Sequence, residues 1–513
     1  MVYNTAVMCK DQFSAQRTRF YAIFVLLVSI GFAFSYLYVG IARVTYPYAL
    51  DFVEEDMLMQ AWRVAQHLPV FVPPNADFVP QVYMPLYTWL GGQVLRFVSP
   101  AFWPLRLLSF LSTLTTAVLV AGISWQESGR WQTAVTGASV FLAGYRITGG
   151  WYDLARVDAL FVALSMAGLW ATARCHQQKQ PQAILAGFLL GLAILTKQNG
   201  LVLALVAGIY FWLAIKPLTK WYILGLLGIT IIPLVWLEWT TEGWFSYYVI
   251  DIAYASPVSP LRIWHTVSRE LAGGMGVFVL FLGITAVWQW RAHAWRVRQW
   301  LSASPWVLFI PAAVFISVAG RSSEGGNFNN LIPAWAFLSL TPALADSLFF
   351  GRRWVWETAV LLQLALTIVN PIPHKPPRYL PTPEMRAAGA QFTELITAVE
   401  GPVLIMMHPS YALRAGKEPG VHIQSLWHAR QRGQQPLPPD FVERLRSGYY
   451  VWIISDESDF FEKDPALLTL LEVYYQPSRR LADNESPPTL SGPIVRPLQL
   501  YVPAIQAASS MSP

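Results

Sequence analysis

Long apolar runs separated by short polar segments dominate the chain. A helix needs about 20 predominantly apolar residues to cross the hydrocarbon core of a bilayer. We predict eleven membrane spans, at 20–41, 103–125, 132–149, 155–174, 182–197, 200–215, 220–240, 271–290, 302–320, 330–349 and 353–371. The pattern therefore predicts an all-α polytopic membrane protein with about 11 transmembrane helices.

A twelfth apolar run, 85–98 ("PLYTWLGGQVLRFV"), is interpreted differently. It has only 14 residues, begins with Pro85, and contains Gly91, Gly92 and Arg96. Apolar runs of 10–14 residues are more typical of interfacial or re-entrant segments than of spans. We therefore predict an interfacial segment here.

The charges of the loops orient the helices. With 85–98 outside the bilayer core and the N-terminus in the cytoplasm, every cytoplasmic loop is basic or neutral, as the positive-inside rule requires. The basic residues of these loops are Arg130, Arg174, Lys179, Lys216, Lys220, Arg291, Arg296, Arg298, Arg352 and Arg353. We predict a multi-pass protein of the plasma (inner) membrane with its C-terminus outside.

This topology divides the chain into two domains. Residues 1–371 form a transmembrane domain whose large first outer loop, 42–102, carries amphipathic helices. Residues 372–513 form an extracytoplasmic domain of roughly 140 residues, large enough for a core of its own. Strand-like runs ("PVLIMM", "YYVWIIS") alternate there with the helical pattern of "EMRAAGAQFTELITAV", which predicts an α/β unit.

Composition supports the membrane assignment. The chain is 54% hydrophobic and 13% charged, whereas soluble domains are about 25% charged. The net charge of +6 reflects the cytoplasmic loops, so it does not indicate nucleic-acid binding. Cys9 and Cys175 both fall on the predicted cytoplasmic side, where free thiols persist. The first run is too long for a cleaved signal segment, so we expect a retained anchor.

Charged residues that could carry chemistry collect at the predicted outer ends of the spans. They are Asp51, Glu54, Glu55 and Asp56 in "DFVEED", Asp153, Arg156 and Asp158 in "GWYDLARVDALF", Lys197 in "LTKQNG" and Arg321 in "GRSSEGGNFNN". Transporters place ionisable residues near the bilayer midplane instead. The pattern favours an active site on the outer face over a conduction path.

Structural explanations exist for the same residues. Asp51 and Glu54 have the spacing of a helix capping box. Arg156 could pair with a neighbouring aspartate, Lys197 could snorkel, and Arg321 could be an interfacial residue. However, a single capping pair suffices for one helix start, so four acids exceed what the helix requires.

The order of these segments resembles a known family. The acidic outer loop is followed by "NADFVPQVYMPLYTWL", "RLLSFLSTL", "YDLARVDALFVALSMAGL" and "LAILTKQNGL". Over residues 20–370 this order is similar to polyprenyl-phosphate-sugar-dependent glycosyltransferases of the GT-C fold. The most similar members are bacterial relatives of protein mannosyltransferases and of lipid A aminoarabinose transferases.

The resemblance implies an inverting glycosyltransferase that moves a sugar from a polyprenyl phosphate to a glycan, lipid or protein acceptor outside the membrane. Bacterial relatives often have D-x-V-E-G in the first outer loop, which aligns with Asp51 and Glu54, and Glu55 replaces the glycine. We predict Glu54 as the catalytic base with Asp51 supporting it.

The leaving phosphate requires cations, and Lys197, Arg156 and Arg321 are the candidates. Glu55, Asp56, Asp153 and Asp158 are further candidates for the site. Some enzymes of this fold use a divalent metal, for which Asp51, Glu54 and Asp158 could supply oxygen ligands. No cofactor follows from the residues themselves.

Two other functions fit an outer active site or a multispan fold. A polysaccharide ligase or polymerase would use a lipid-diphosphate glycan, so the donor distinguishes it. A lipid or solute transporter would move its substrate across the membrane and would line a midplane cavity with polar residues, which the apolar spans disfavour.

Overall fold

A computed structural model describes residues 2–175, 179–292, 301, 304–346, 353–369, 379–456 and 464–504. Within these residues the chain up to position 369 is almost entirely helical, and the strands lie between positions 403 and 503. The predicted domain boundary at 371/372 lies outside the described residues.

The first part of the chain consists of helices in the following order. They are α1 (Val2–Val44), α2 (Phe52–Ala65), α3 (Leu86–Leu95), α4 (Trp103–Ser128), α5 (Trp131–Ala143), α6 (Val157–Ala173), α7 (Gln180–Thr196), α8 (Gly200–Ala214), α9 (Thr219–Thr240), α10 (Trp244–Ser246), α11 (Pro260–His265), α12 (Ala272–Ala292), α13 (Trp306–Ser322), α14 (Ile332–Leu338), α15 (Thr341–Asp346) and α16 (Arg353–Val369). A π-helical segment, Thr266–Leu271, joins α11 to α12.

Four segments are long and apolar enough to cross a membrane, judged by length and composition within the described residues. They are Phe20–Val44, Trp103–Ser128, Lys216–Thr240 and Pro260–Ile284. Other apolar helices, such as α6, α7, α8 and α13, have 15–17 residues. At 1.5 Å per residue they cover about 23–26 Å, less than the ~30 Å of an average hydrocarbon core. The protein is a multi-pass membrane protein, and the number of eleven spans stays a prediction.

Two predicted spans are shorter than expected. The run 132–149 is helical only to Ala143, and turns follow in which Gly149 and Gly150 adopt positive φ angles of 83° and 75°. The run 330–349 is divided into α14 and α15. Pro342 near the start of α15 has no N–H to donate to the end of α14, which favours a break between the two helices.

Small residues let two membrane helices approach closely. A Cβ atom at Gly187 in α7 would lie 2.1 Å from the carbonyl oxygen of Tyr222 in α9. A Cβ at Gly225 would lie 2.1 Å from the carbonyl oxygen of Ile184. Because membrane helices associate through close packing rather than the hydrophobic effect, these glycines fix the α7–α9 contact.

The outer loop carries two helices that pack on each other. Helix α2 is almost completely buried, with Asp51 as its N-cap residue. Helix α3, in the run predicted to be interfacial, has ten residues. A Cβ at Gly92 of α3 would lie 2.5 Å from the Val64 side chain of α2, so the glycine allows the two helices to touch.

The last part of the chain combines helices with one mixed sheet. Its helices are α17 (Pro383–Ala398), α18 (Pro409–Arg414), α19 (Ile423–Gln431), α20 (Pro439–Arg446) and α21 (Pro465–Tyr474), and its strands are β1 (Val403–Ile405), β2 (Trp452–Asp456), β3 (Tyr475–Arg480) and β4 (Pro497–Pro503). The strand order is β1-β2-β4-β3. Strand β1 is parallel to β2, while β4 is antiparallel to both β2 and β3. The buried strand side chains Leu404, Ile453 and Leu500 form its core.

This last part holds the outer loop in place. The backbone N–H groups of Leu490 and Ser491 donate to the Leu50 carbonyl at 2.9 and 2.8 Å, and Val421 N–H donates to Ala76 O at 3.2 Å. The start of α2 is therefore held between the membrane helices and the C-terminal part.

Candidate active site

The four acids of "DFVEED" have four different sets of partners. Each is at most 1% exposed, and buried carboxylates require hydrogen bonds or counter-charges. Because successive residues of a helix are rotated by about 100°, Glu54, Glu55 and Asp56 point in different directions. The cluster is therefore not one acidic patch.

Glu54 is fully engaged by its surroundings. Arg106 of α4 donates to both carboxylate oxygens, with Nε–Oε1 at 2.8 Å and one terminal nitrogen–Oε2 at 2.6 Å. The N–H groups of Leu50 and Ala155 each donate to it at 2.7 Å. Burial alone would raise the pKa of this carboxyl, but Arg106 and the two N–H groups hold the pKa below its usual value. Glu54 is thus a poor proton acceptor.

Asp51 is less well satisfied. Its Oδ2 accepts a hydrogen bond from Arg156 at 2.7 Å, whereas its Oδ1 is buried without a hydrogen-bond partner. The side chain does not cap α2 by a hydrogen bond. Burial raises the pKa of Asp51 to about 6, although Arg156 opposes the rise. A pKa near neutrality suits a general base.

Arg156 connects Asp51 to a second carboxylate. Its Nε lies 3.4 Å from Oδ2 of Asp158 at the start of α6. Asp158 also accepts hydrogen bonds from Lys197 Nζ at 2.7 Å and from Asn329 Nδ2 at 3.0 Å. The result is a buried alternation of charges, Asp51–Arg156–Asp158–Lys197.

A cavity of about 200 Å³ opens beside this alternation. Arg156 and Lys197 line one side, and the Tyr83 hydroxyl, which also lines the cavity, accepts a hydrogen bond from an Arg156 nitrogen at 3.0 Å. Other polar lining residues are Gln81, Gln198, Asn199, Ser256, Ser323, Glu324, Asn327, Asn329, Asn330, Gln424, His428 and Arg432. The lining thus contains cations, the Glu324 carboxylate and neutral hydrogen-bonding groups. Its cations and neutral groups suit a phosphorylated sugar.

Glu55 and Asp56 face the C-terminal part of the chain. Glu55 accepts hydrogen bonds from the N–H and hydroxyl of Ser410, both at 2.9 Å. Asp56 accepts hydrogen bonds from Gln81 at 2.6 Å and Ser425 at 3.0 Å, and it lies 3.0 Å from His422 Nδ1. These two acids fasten α2 to α18 and α19.

Asp153 and Arg321 do not line the cavity. Asp153 lies 3.1 Å from Arg43 Nε, and burial raises its pKa to about 6 against the effect of that arginine. Arg321 donates to Glu270 at 2.6 Å and to Gly326 O at 2.8 Å. Its neighbours Gly320, Ser323, Glu324, Gly325 and Gly326 line the cavity instead.

The chain is similar to known proteins in sequence and in fold. The family model "dolichyl-phosphate-mannose-protein mannosyltransferase" matches residues 80–239. Among solved structures, ArnT from Cupriavidus metallidurans in the apo state aligns over 92% of this chain and 97% of its own, with 12% identity and a TM-score of 0.53. ArnT bound to undecaprenyl phosphate aligns over the same shares, with 13% identity and a TM-score of 0.50.

A further solved structure shares the fold. The oligosaccharyltransferase of Archaeoglobus fulgidus, in complex with Zn and sulfate, aligns over 88% of this chain and 71% of its own, with 12% identity and a TM-score of 0.50. Comparison with curated proteins by sequence gave no match. The chain has the GT-C glycosyltransferase fold.

The GT-C match covers only part of the candidate site. Residues 80–239 include Arg106, Arg156, Asp158 and Lys197. Asp51 and its neighbours precede that range, and the C-terminal lining residues follow it. The expected resemblance to GT-C enzymes is therefore confirmed, while the roles of individual residues stay predictions.

The carboxylates predicted as metal ligands do not form a cation site as they stand. Both oxygens of Glu54 are bonded to Arg106, and Asp158 is bonded to Lys197 and Asn329. Asp51 Oδ1 alone lacks a partner. No group of three or more His, Cys, Asp or Glu side chains suited to a metal occurs among the described residues. These residues do not fit a divalent cation.

Sequence reasoning missed the residues that face the site from the C-terminal part. Gln424, His428 and Arg432 line the cavity and recur at every fourth position, which places them on one face of α19. That spacing was readable from the sequence, but nothing local indicated which surface the helix would face. Arg106, the first residue of "RLLSFLSTL", was likewise missed, because its partner Glu54 lies 52 positions away in sequence.

Proposed function

We propose that the protein is an inverting glycosyltransferase that takes a sugar from a polyprenyl phosphate and passes it to an acceptor hydroxyl on the extracytoplasmic side of the membrane. The eleven-span topology, with the N-terminus inside, belongs to this proposal. The observation that carries it is Asp51, a buried carboxylate with one unsatisfied oxygen, held by an arginine that lines a polar cavity.

Asp51 is the better candidate for the base, although the sequence favoured Glu54. Glu54 accepts four hydrogen bonds and its pKa is lowered, so taking a proton would cost it a buried ion pair. Asp51 has a pKa of about 6 and a single charged partner. We therefore assign proton removal to Asp51 and the positioning of the α2 start to Glu54.

The chemistry can be written with these groups. The acceptor hydroxyl transfers its proton to Asp51 as its oxygen forms a bond to the anomeric carbon. The carbon–oxygen bond to the phosphate breaks on the opposite face, its electron pair goes to the phosphate oxygen, and polyprenyl phosphate leaves. A single displacement of this kind inverts the anomeric centre.

Arg156 and Lys197 would face the donor phosphate. Both line the cavity while each keeps a carboxylate partner, Asp51 or Asp158. A phosphate that draws the Arg156 guanidinium toward the cavity would weaken its bond to Asp51 Oδ2 and so free the base. The fold-level relation to ArnT, whose solved complex contains undecaprenyl phosphate, supports this class of donor.

Two predicted site residues have less support. Arg321 stays a prediction as a phosphate ligand, since its guanidinium is paired with Glu270. A divalent cation is not part of the proposal.

The test uses purified protein, a panel of undecaprenyl-phosphate sugars and native membranes as the source of acceptor. Wild type should transfer a sugar, and Asp51→Asn should lose about 10²–10⁴-fold in rate while still binding undecaprenyl phosphate. Transfer from a lipid-diphosphate glycan alone would support a ligase, and lipid movement without glycan product would support a transporter; either result overturns the proposal.

A further inference from the structure

Helix α19 of the C-terminal part forms a wall of the cavity opposite the membrane helices. Its face carries Gln424 and His428, and Arg432 follows directly after its last residue. The helix is fixed to α2 by the hydrogen bond from Ser425 to Asp56. The position of α19 relative to the residues around Asp51 is therefore fixed.

Arg432 is a cation on which the Glu324 carboxylate acts without pairing with it directly. One terminal nitrogen donates to the Glu324 carbonyl at 3.0 Å, and the guanidinium lies 5.4 Å from the centre of the Trp427 ring. Its Nε is buried without a hydrogen-bond partner. In the part of the chain that the structure describes, it forms no ion pair with a carboxylate. A half-buried guanidinium in this state favours an anion from outside the protein.

The other cations of the cavity differ from it. Arg156 is paired with Asp51 and Asp158, and Lys197 with Asp158. Two cations and two carboxylates leave that side without net charge. Arg432 therefore adds a third cation to the cavity, and no carboxylate among the described residues occupies its donors, which leaves them for a bound phosphate.

Tyr83 links the two sides. Its hydroxyl lies 3.0 Å from an Arg156 nitrogen, and it lines the same cavity as Arg432. Both arginines thus act on one region of the cavity.

His428 adds a neutral hydrogen-bonding group. The imidazole is 8% exposed and lines the cavity, and its Nδ1 has no partner. Burial, reinforced by Arg432 and His422, lowers its pKa to about 3, so the ring is neutral at physiological pH. It offers one donor and one acceptor nitrogen, which suits a sugar hydroxyl.

We infer that Arg432 binds the phosphate of the lipid-linked donor and that His428 and Gln424 hydrogen-bond to adjacent sugar hydroxyls, so that the C-terminal part completes the donor site. This inference rests on the proposed function and assigns it a residue outside the membrane helices.

The experiment measures binding of undecaprenyl phosphate to the purified full-length protein in detergent, with undecaprenol as the uncharged reference. Arg432→Gln should weaken phosphate-dependent binding about ten- to hundredfold. Arg432→Lys should recover part of the affinity, since it keeps the charge but loses the planar fork. Arg446→Gln, on an exposed arginine of α20 outside the cavity, is the matched control and should bind like wild type.

The possible failures are distinguishable. If wild type binds undecaprenyl phosphate no better than undecaprenol, the proposed donor class is wrong. If wild type discriminates and Arg432→Gln with an unchanged melting temperature discriminates equally well, only the role of Arg432 is wrong. If Arg432→Gln keeps donor affinity but raises KM for the acceptor, the anion belongs to the acceptor, which also overturns the inference. A variant that unfolds is replaced by Arg432→Lys, whose affinity must then fall below that of wild type.

Discussion

Replacing Glu54 and replacing Asp51 should have opposite consequences, although the two acids are separated by only one helical turn. Glu54→Gln is expected to destabilise the fold. Asp51→Asn is expected to abolish transfer while leaving the fold nearly intact. The contrast tests whether the base is the carboxylate with an oxygen free of hydrogen bonds, Asp51, rather than the one favoured by the sequence motif, Glu54.

The size of the Glu54 effect follows from its partners. Arg106 is fully buried, and its remaining hydrogen bonds go to neutral carbonyls of Arg43, Tyr46 and Tyr48. Glutamine keeps the shape but removes the charge, so Arg106 becomes a buried cation without a counter-charge. Breaking a buried ion pair in this way costs about 3–5 kcal/mol.

Asp51→Asn has a milder structural cost. Arg156 retains the Tyr83 hydroxyl and Asp158 as partners, although it then shares Asp158 with Lys197, so the arginine stays paired with a carboxylate. The raised pKa of Asp51 means that its ionisation is itself disfavoured by burial, and asparagine removes that cost. We expect a loss of no more than about 1.5 kcal/mol.

The assay combines denaturant unfolding in mixed micelles with the transfer rate. Asp77→Asn is the control, because Asp77 forms an exposed ion pair with Arg444 at 2.6 Å and such pairs contribute only ~0–1 kcal/mol. For wild type, kcat/KM should rise as the pH passes through about 6, where Asp51 loses its proton, and level off above. A stable Glu54→Gln variant with no transfer, beside an active Asp51→Asn, would refute the reasoning.

Three further outcomes are expected. His408 is 2.8 Å from Asp456 and 3.6 Å from Glu55; burial lowers its pKa, but the carboxylates raise it to about 10. Its charge therefore stabilises the fold fully below the unfolded-state pKa of about 6.5 and stops doing so as the pH rises toward 10, so the melting temperature should fall over that window and fall less in His408→Gln. Gly187→Leu should prevent the α7–α9 contact and lower the yield of folded protein, whereas leucine at the open position Gly228 should not, as judged by size-exclusion profiles. Gly492→Ala should reduce kcat, because Gly492 has a φ of +70° and a Cβ there would lie 2.9 Å from the Oδ1 atom of the base; an unchanged rate in a folded variant would place that oxygen outside the reaction.

Much of the fold could be predicted because it follows from local pattern. Apolar runs predicted helices, and the short run at 85–98 was separated from the spans by its length. The exceptions also have local causes, such as Pro342 within the run 330–349. By contrast, the number of membrane spans depends on how helices of 15–17 residues pack and tilt. The sequence of a single apolar run does not specify this packing.

The sequence indicated which charged residues would lie close together but not how they would pair. The sequence brought Asp51, Arg156, Asp158 and Lys197 together as candidates, and these four form one buried chain of charges. Choosing between Asp51 and Glu54 required knowing that Arg106, 52 positions later in sequence, binds Glu54. Such a long-range pairing leaves no trace in local spacing.

Glu55 illustrates the same limit of local pattern and also explains the acid cluster. At this position bacterial relatives often have glycine, and here the glutamate binds Ser410, 355 residues later. Glu55 and Asp56 hold α18 and α19, while Asp51 and Glu54 contact the arginines beside the membrane helices. Because one short, buried helix carries all these contacts, a shift of the C-terminal part would move Asp51 relative to Arg156. The four acids together therefore link the position of the proposed base to the packing of Ser410 and Ser425, which lie more than 350 positions later in sequence.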